Sequence, residues 1–185
     1  MLSSLPAFCA SRHASRSLLP SLRRHYAAAA KAPSPRPLLG RFDHIPLDLA
    51  RVQSGTNVRL RDYEQQKALK RFSYDLKLKD GLVYPAEGDN FIGPNGCSLR
   101  PPLSPMFQEV VRNFRGTNIT VYVLPESTPL PPSLTLLHEH SDHYSLQCTE
   151  PVSLDALNAT LTEFINKYGR KLDKEQFDEE YPFTI

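Results

Sequence analysis

The stretch LLHEHSDHYSLQ, residues 136–147, constrains this chain more than any other. It is apolar and strand-like at both ends. Between those ends it packs three of the six histidines, His138, His140 and His143, into six residues beside Glu139, Asp142 and Tyr144. Side chains alternate between the two faces of a strand. Leu134, Leu136 and His138 are therefore expected to share a face of one strand. In the next strand, His143, Ser145 and Gln147 share one face, and Tyr144, Leu146 and Cys148 the other. Polar side chains gathered between apolar flanks need a site to converge on, and no other stretch is as dense.

The chain has 185 residues, 40% hydrophobic and 23% charged, enough for one core. Its formal net charge of +2 hides an asymmetry. Residues 1–40 hold Arg12, Arg16, Arg23, Arg24, Lys31 and Arg36 and no acid, whereas residues 41–185 carry 16 basic and 20 acidic side chains. A mildly acidic body without a basic stripe excludes nucleic acid as the expected partner.

Residues 1–40, rich in Ser, Ala and Arg, have the composition of a mitochondrial transit peptide followed by a linker, which implies the matrix as destination. Arg12, Arg16 and Arg23 share a helical face that Pro6 and Pro20 interrupt. Arg24-His25-Tyr26-Ala27 resembles a processing site, and a disordered basic tail is the alternative. The arginines break any secretory apolar core, and no run of 18 apolar residues offers a membrane span. The sequons at Asn118 and Asn158 are then expected to stay unmodified.

The domain is expected over residues 41–185. In LDLARVQ, alternation puts Leu47, Leu49 and Arg51 on one face and Ala50 and Val52 on the other. A guanidinium facing inward needs an anion, either a structural carboxylate or a ligand phosphate. Arg59 and Arg61 are expected to support that anion or to lie on the surface. A short helix is expected near residues 63–71. Tyr74, Leu76 and Leu78, alternating with Asp75, Lys77 and Lys79 before Asp80-Gly81, read as a half-exposed strand entering a hairpin turn.

Residues 85–105 form a Gly- and Pro-rich loop. Its centre, Gly93-Pro94-Asn95-Gly96-Cys97-Ser98, is either a close backbone approach to a ligand or a plain turn; it has neither Walker nor dinucleotide spacing. Ser104-Pro105 opens a helix with Met106, Phe107, Val110, Val111 and Phe114 as its buried stripe and Gly116 beyond its end. A strand follows with Ile119, Val121 and Val123. Ser153 caps a longer helix, with Leu154, Leu157, Leu161, Phe164, Ile165 and Tyr168 inward and Gly169 past its end, and a charged surface helix covers residues 173–181. No internal repeat is present. The class is α+β, with four to six mostly antiparallel strands and three or four helices.

Two chemistries follow from the residues themselves. His138, His140 and His143, with Asp142 as a fourth ligand, are a candidate metal set, because a strand puts His138 and His140 on one side. Cys97 with His143 is a candidate nucleophilic pair. Cys148 reads as a buried thiol, so no disulfide framework is expected.

A third chemistry comes from a resemblance. Leu49-Ala50-Arg51-Val52, Asp80-Gly81-Leu82-Val83-Tyr84-Pro85, Gly96-Cys97-Ser98, Leu130-Pro131-Pro132-Ser133-Leu134 and His143-Tyr144-Ser145 occur in that order. Together they resemble the ADP-ribosyltransferase-like toxin domain of a bacterial type VI secretion effector. Fungal proteins that share this domain have similar Gly-Pro-Asn-Gly and His-Glu-His-Ser-Asp-His-Tyr-Ser-Leu-Gln stretches. The resemblance covers residues 45–170. It implies an ADP-ribosyltransferase-like fold, two small mostly antiparallel sheets forming a cleft that takes NAD. It further implies Ser98, His143 and Tyr144 as catalytic candidates and Arg51 and Cys97 as cofactor-binding candidates, to which the glycine-rich loop adds Asn95 and the His143 strand face adds Gln147. The wider family's Gln/Glu-x-Glu motif is absent after Tyr144, although Gln147 and Glu150 stand nearby. Three readings stay open: an NAD-dependent ADP-ribosyltransferase-like or NAD-hydrolysing enzyme with an unassigned acceptor, a non-catalytic domain of the same fold that binds a nucleotide or a protein partner, and a His-rich metal-binding enzyme.

Overall fold

The computed structural model describes residues 36–183, so the expected processing site and residues 1–35 of the expected transit peptide and linker lie outside the described residues, while residues 36–40, expected as linker, already pair in short strands. The first half runs β1 (Arg36–Pro37), β2 (Gly40–Phe42), β3 (Leu49–Ser54), α1 (Tyr63–Ala68), β4 (Leu82–Val83), β5 (Asn90–Phe91) and β6 (Cys97–Leu99). The second runs α2 (Pro105–Asn113), β7 (Ile119–Leu124), β8 (Leu134–His140), β9 (His143–Cys148), β10 (Val152–Ser153), α3 (Leu154–Tyr168), β11 (Arg170–Leu172) and α4 (Lys174–Glu180). The class is α+β, as the pattern predicts, and the strands are more numerous because several hold only two or three residues.

Two antiparallel sheets organise the molecule, one of order β11-β7-β3 and one of order β2-β8-β9-β6. Two-residue pairs, β1 with β5 and β10 with β4, form two further small sheets. The larger sheets meet at one bridge, where Ala50 of β3 and Arg100 just beyond β6 exchange both backbone hydrogen bonds at 2.6 and 3.0 Å.

Both faces of β3 and β7 are buried, which is why alternation there separates two apolar sets rather than apolar from polar. Leu49, Tyr122 and Leu124 join a core with Leu136, Tyr144, Leu146, Leu157, Leu161 and Ile165, against α3. Ala50, Val52, Val121 and Val123 join a second core with Phe107 and Val111 of α2 and Phe177 of α4. Phe177 pins a helix that is otherwise a charged surface element.

The helix starts are legible. Ser104, Ser153 and Asp173 each accept a hydrogen bond from the backbone N–H three residues on. The ends differ from expectation. α2 stops at Asn113, before Gly116, and Met106 and Val110 are exposed at 55% and 42% while Gln108 is buried and donates to the Tyr181 and Pro182 carbonyls. Tyr168, expected inward, is also exposed. Gly169 closes α3 with φ −80°; a Cβ there would lie 2.5 Å from the Ile165 carbonyl, so the glycine serves close packing and not a left-handed turn.

Residues 74–79 form no regular strand. Asp75, expected to face solvent, is buried and takes both guanidinium contacts of Arg61 at 2.7 and 2.8 Å, plus the Arg61 backbone N–H at 2.8 Å. The hairpin turn is present: Lys79 and Leu82 exchange backbone hydrogen bonds around Asp80 and Gly81, both at positive φ. Asn158 is engaged too, its side chain accepting from the Leu60 N–H at 2.9 Å. No helix among the described residues is long and apolar enough to cross a membrane.

Candidate active site

A cleft of about 580 Å³ opens beside the single bridge between the two sheets. Arg51 and Gln53 of β3, Ser98 of β6, Val110 and Phe114 of the α2 segment, and His143 of β9 all line it. Arg51, Ser98 and His143, far apart along the chain, thus share one hollow that no packed side chain fills.

Strand parity explains the convergence. Leu49, Arg51 and Gln53 share a face, and Arg51 Nε donates to Gln53 Oε1 at 3.1 Å while one terminal nitrogen donates to the Ser98 carbonyl at 3.2 Å. The carbonyl of Ser98 is the acceptor, not its hydroxyl. Among the described residues no carboxylate lies within ion-pair distance of Arg51. The structural-carboxylate alternative therefore finds no support, and the remaining N–H donors of the guanidinium stay available to an anion. Arg59, Arg61 and Arg100 also line the cleft, with Asp75 as its one lining acid. Arg61 is paired with Asp75 and Arg100 with Asp142, so Arg51 and Arg59 carry the surplus positive charge.

His143 reaches the cleft from a buried polar network. Register places Ser98 opposite Ser145 and Leu137 opposite Ser145, so these residues share one sheet face with His143 and Gln147. Glu139, 1% exposed, sits at the centre. Its carboxylate accepts from His143 Nδ1 at 2.8 Å, from the Ser145 hydroxyl at 2.7 Å and from Gln147 Nε2 at 3.3 Å. Because the carboxylate accepts, Nδ1 of His143 carries the proton and Nε2 is left to accept one. Glu139 is the residue that sequence reasoning passed over. Its signal was present, an acid among three histidines, but a disruption of register conceals its role.

That disruption is a β-bulge. His138 pairs with Tyr144 and His140 with His143, so Glu139 has no partner of its own. A bulge re-aims the side chains around it. His138 consequently stays on the core side, stacked on Tyr144 at 4.1 Å and bound to the Ser141 carbonyl at 2.6 Å. His140 turns to the other side and stacks on His143 at 5.1 Å, with Phe91 edge-on to it. The expected metal set of His138, His140, His143 and Asp142 is thus not assembled. Asp142 is instead bound by Arg100 and by the Ser104 hydroxyl at 2.6 Å. Burial pushes the Asp142 carboxyl up, and the Ser104 and Arg100 contacts outweigh it, leaving the group below its ordinary value. Ser104 also caps α2, so one hydroxyl ties the helix that walls the cleft to the turn carrying His143.

The other candidates lie elsewhere. Tyr144 faces the core with Leu146, away from the cleft. Cys97 is fully buried on that same side, and burial raises its thiol, so it is not a nucleophile for His143. Strict alternation between Cys97 and Ser98 sends one inward and the other to the cleft. Asn95 donates to the Tyr84 carbonyl at 2.8 Å and to Gln147 Oε1 at 3.1 Å. Gln147 in turn accepts from the Ala86 N–H at 3.1 Å and donates to Glu139 and Ser145. Asn95 and Gln147 therefore brace the 85–96 loop against the network from outside the cleft. Gly96 packs so closely on the Leu146 carbonyl that a Cβ would lie 2.3 Å from it.

Comparison with curated proteins and with solved structures finds no match. A family model described as Tse2 ADP-ribosyltransferase toxin matches residues 47–177, most of the described body and all of the cleft residues. The chain belongs to the Tse2 ADP-ribosyltransferase toxin family.

Proposed function

We propose that this protein binds NAD in the cleft, breaks the bond between nicotinamide and the ribose C1′, and passes ADP-ribose to an acceptor or to water, in the mitochondrial matrix. One observation carries the reading: Arg51, without a carboxylate partner among the described residues, points into a hollow that Ser98 and His143 also line. The surplus positive charge of Arg51 and Arg59 suits a pyrophosphate. The location rests on the basic, acid-free composition of residues 1–40.

The chemistry divides among the residues as follows. Nicotinamide leaves with the electron pair of the glycosidic bond, and positive charge develops at C1′. Fixed negative potential nearby lowers that barrier. Glu139 supplies it from behind His143, and the same hydrogen bond stabilises the imidazolium when Nε2 takes a proton from the attacking hydroxyl or water. Glu139 acts through His143 and is a positioning residue. Val110 and Phe114 give the cleft its apolar wall.

Binding without turnover is the second reading, favoured by one observation. The acid that lines the cleft, Asp75, is committed to Arg61, so no free carboxylate faces C1′ directly. Incubating the full chain with millimolar NAD separates the two. Nicotinamide release that falls at least a hundredfold in Arg51→Ala supports catalysis. NAD binding without release supports the second reading, and neither binding nor release overturns both.

A further inference from the structure

The bulge that re-aims His140 assembles a second feature. One ligand atom from each of Glu139, His140 and His143 lies within 4.8 Å of the others. We infer that these three residues form a binding site for a divalent transition-metal ion of borderline softness, of which zinc is representative.

Three observations support the site. The Glu139 carboxylate is 1% exposed, yet its partners are an imidazole, a hydroxyl and an amide; among the described residues no lysine or arginine lies within ion-pair distance of it. A buried carboxylate is stabilised by a cation or by metal coordination. The two imidazoles lie side by side with ring planes 13° apart, and Phe91 packs against His140. The chemistry of two imidazoles and one carboxylate matches zinc, cobalt, nickel or iron(II) and disfavours magnesium and calcium, which take oxygen ligands. Tetrahedral zinc sets its ligand atoms about 3.4 Å apart, so the stacked imidazoles rotate out of parallel to bring their nitrogens onto one ion. Three protein ligands leave one coordination position open.

The site shares His143 with the cleft. A metal that takes the imidazole or its Glu139 partner removes the proton acceptor, so the ion is an inhibitor of NAD turnover; this consequence, unlike the binding itself, rests on the function proposed above.

The full chain, stripped of metal with a chelator, is titrated with zinc in competition with a chromophoric chelator. One equivalent bound with submicromolar affinity, weakened at least tenfold by His140→Ala and again by Glu139→Gln, is the expected result. Circular dichroism and thermal melting confirm that each variant is folded. His138→Ala, on the opposite face, leaves the affinity unchanged. Absence of zinc binding, or binding that His140→Ala does not weaken, overturns the inference. Zinc suppression of nicotinamide release in the wild type but not in His140→Ala supports the inhibitory role. A chain that binds zinc but never releases nicotinamide fails the functional proposal and leaves the metal site standing.

Discussion

The two faces of the β8–β9 hairpin each carry a stacked histidine and do different work. On one face the half-buried His138 lies flat on Tyr144, at the margin of the core that holds Leu136 and Leu146, and the Ser141 carbonyl satisfies its polar edge. On the other, His143 is held by Glu139, whose carboxylate also accepts from Ser145 and Gln147, and opens onto a cationic cleft. The imidazoles are chemically identical. An aromatic neighbour makes one of them packing material, and a buried carboxylate orients the other at the cleft. Function here follows from which side of a pleat a residue occupies.

Substitutions that hit one face and spare the other break this contrast most directly. Leu146→Ala removes a fully buried core side chain and is expected to cost about 4 kcal/mol of stability in urea unfolding, with nicotinamide release per folded molecule unchanged. Glu139→Ala, on the opposite face, leaves three donors facing a void. It should cost about 3 kcal/mol and also abolish nicotinamide release. Equal losses of activity in the two variants, after correction for the folded fraction, would erase the distinction between the faces.

Ser104→Ala tests the link between α2 and the hairpin turn. Loss of the cap and of the Asp142 contact should lower stability by about 1 kcal/mol and raise KM for NAD more than it lowers kcat, since the cleft wall loosens while the Glu139–His143 pair stays. The smallest effect is on pH dependence. Burial, followed by the neighbouring His143, holds the His140 imidazole below its ordinary value. The unfolded chain takes up that proton as pH falls through about 6.5, before the folded chain does. Stability is therefore fully present above that range and declines below it, until pH reaches the lowered folded value. His140→Ala should narrow the gap between urea midpoints at pH 7.5 and pH 5.5, and an unchanged gap would place the titration elsewhere.

Much of this was legible in the sequence. The Ser104-Pro105 and Ser153 caps, the parity of Leu49, Arg51, Ala50 and Val52, and the shared face of His143, Ser145 and Gln147 follow from local rules that tertiary packing left intact. Resemblance directed attention to Arg51, Ser98 and His143, and the fold brings those three together. It also pointed to Cys97 and Tyr144, which sit next to cleft residues in sequence and on the opposite face in space. Reading motifs as adjacent pairs hides that difference. Asn95 and Gln147 looked like ligand groups because polar residues in a glycine-rich loop and on a site-facing strand do so often. In the structure they spend their hydrogen bonds on each other and on the loop backbone.

By itself, then, the sequence determined the α+β class, the helix starts, and which residues of each regular strand share a face, since capping and alternation depend only on near neighbours along the chain. Only the tertiary structure decided that Glu139 is buried behind His143, that Asp75 turns inward to Arg61, and that His140 leaves His138 for His143. The physical reason is the same in the first and last of these: one unpaired residue in β8 breaks the period of two, and its placement depends on the partner strand. For Asp75 it is that a carboxylate and a guanidinium fourteen residues apart find each other only after the intervening chain has folded back.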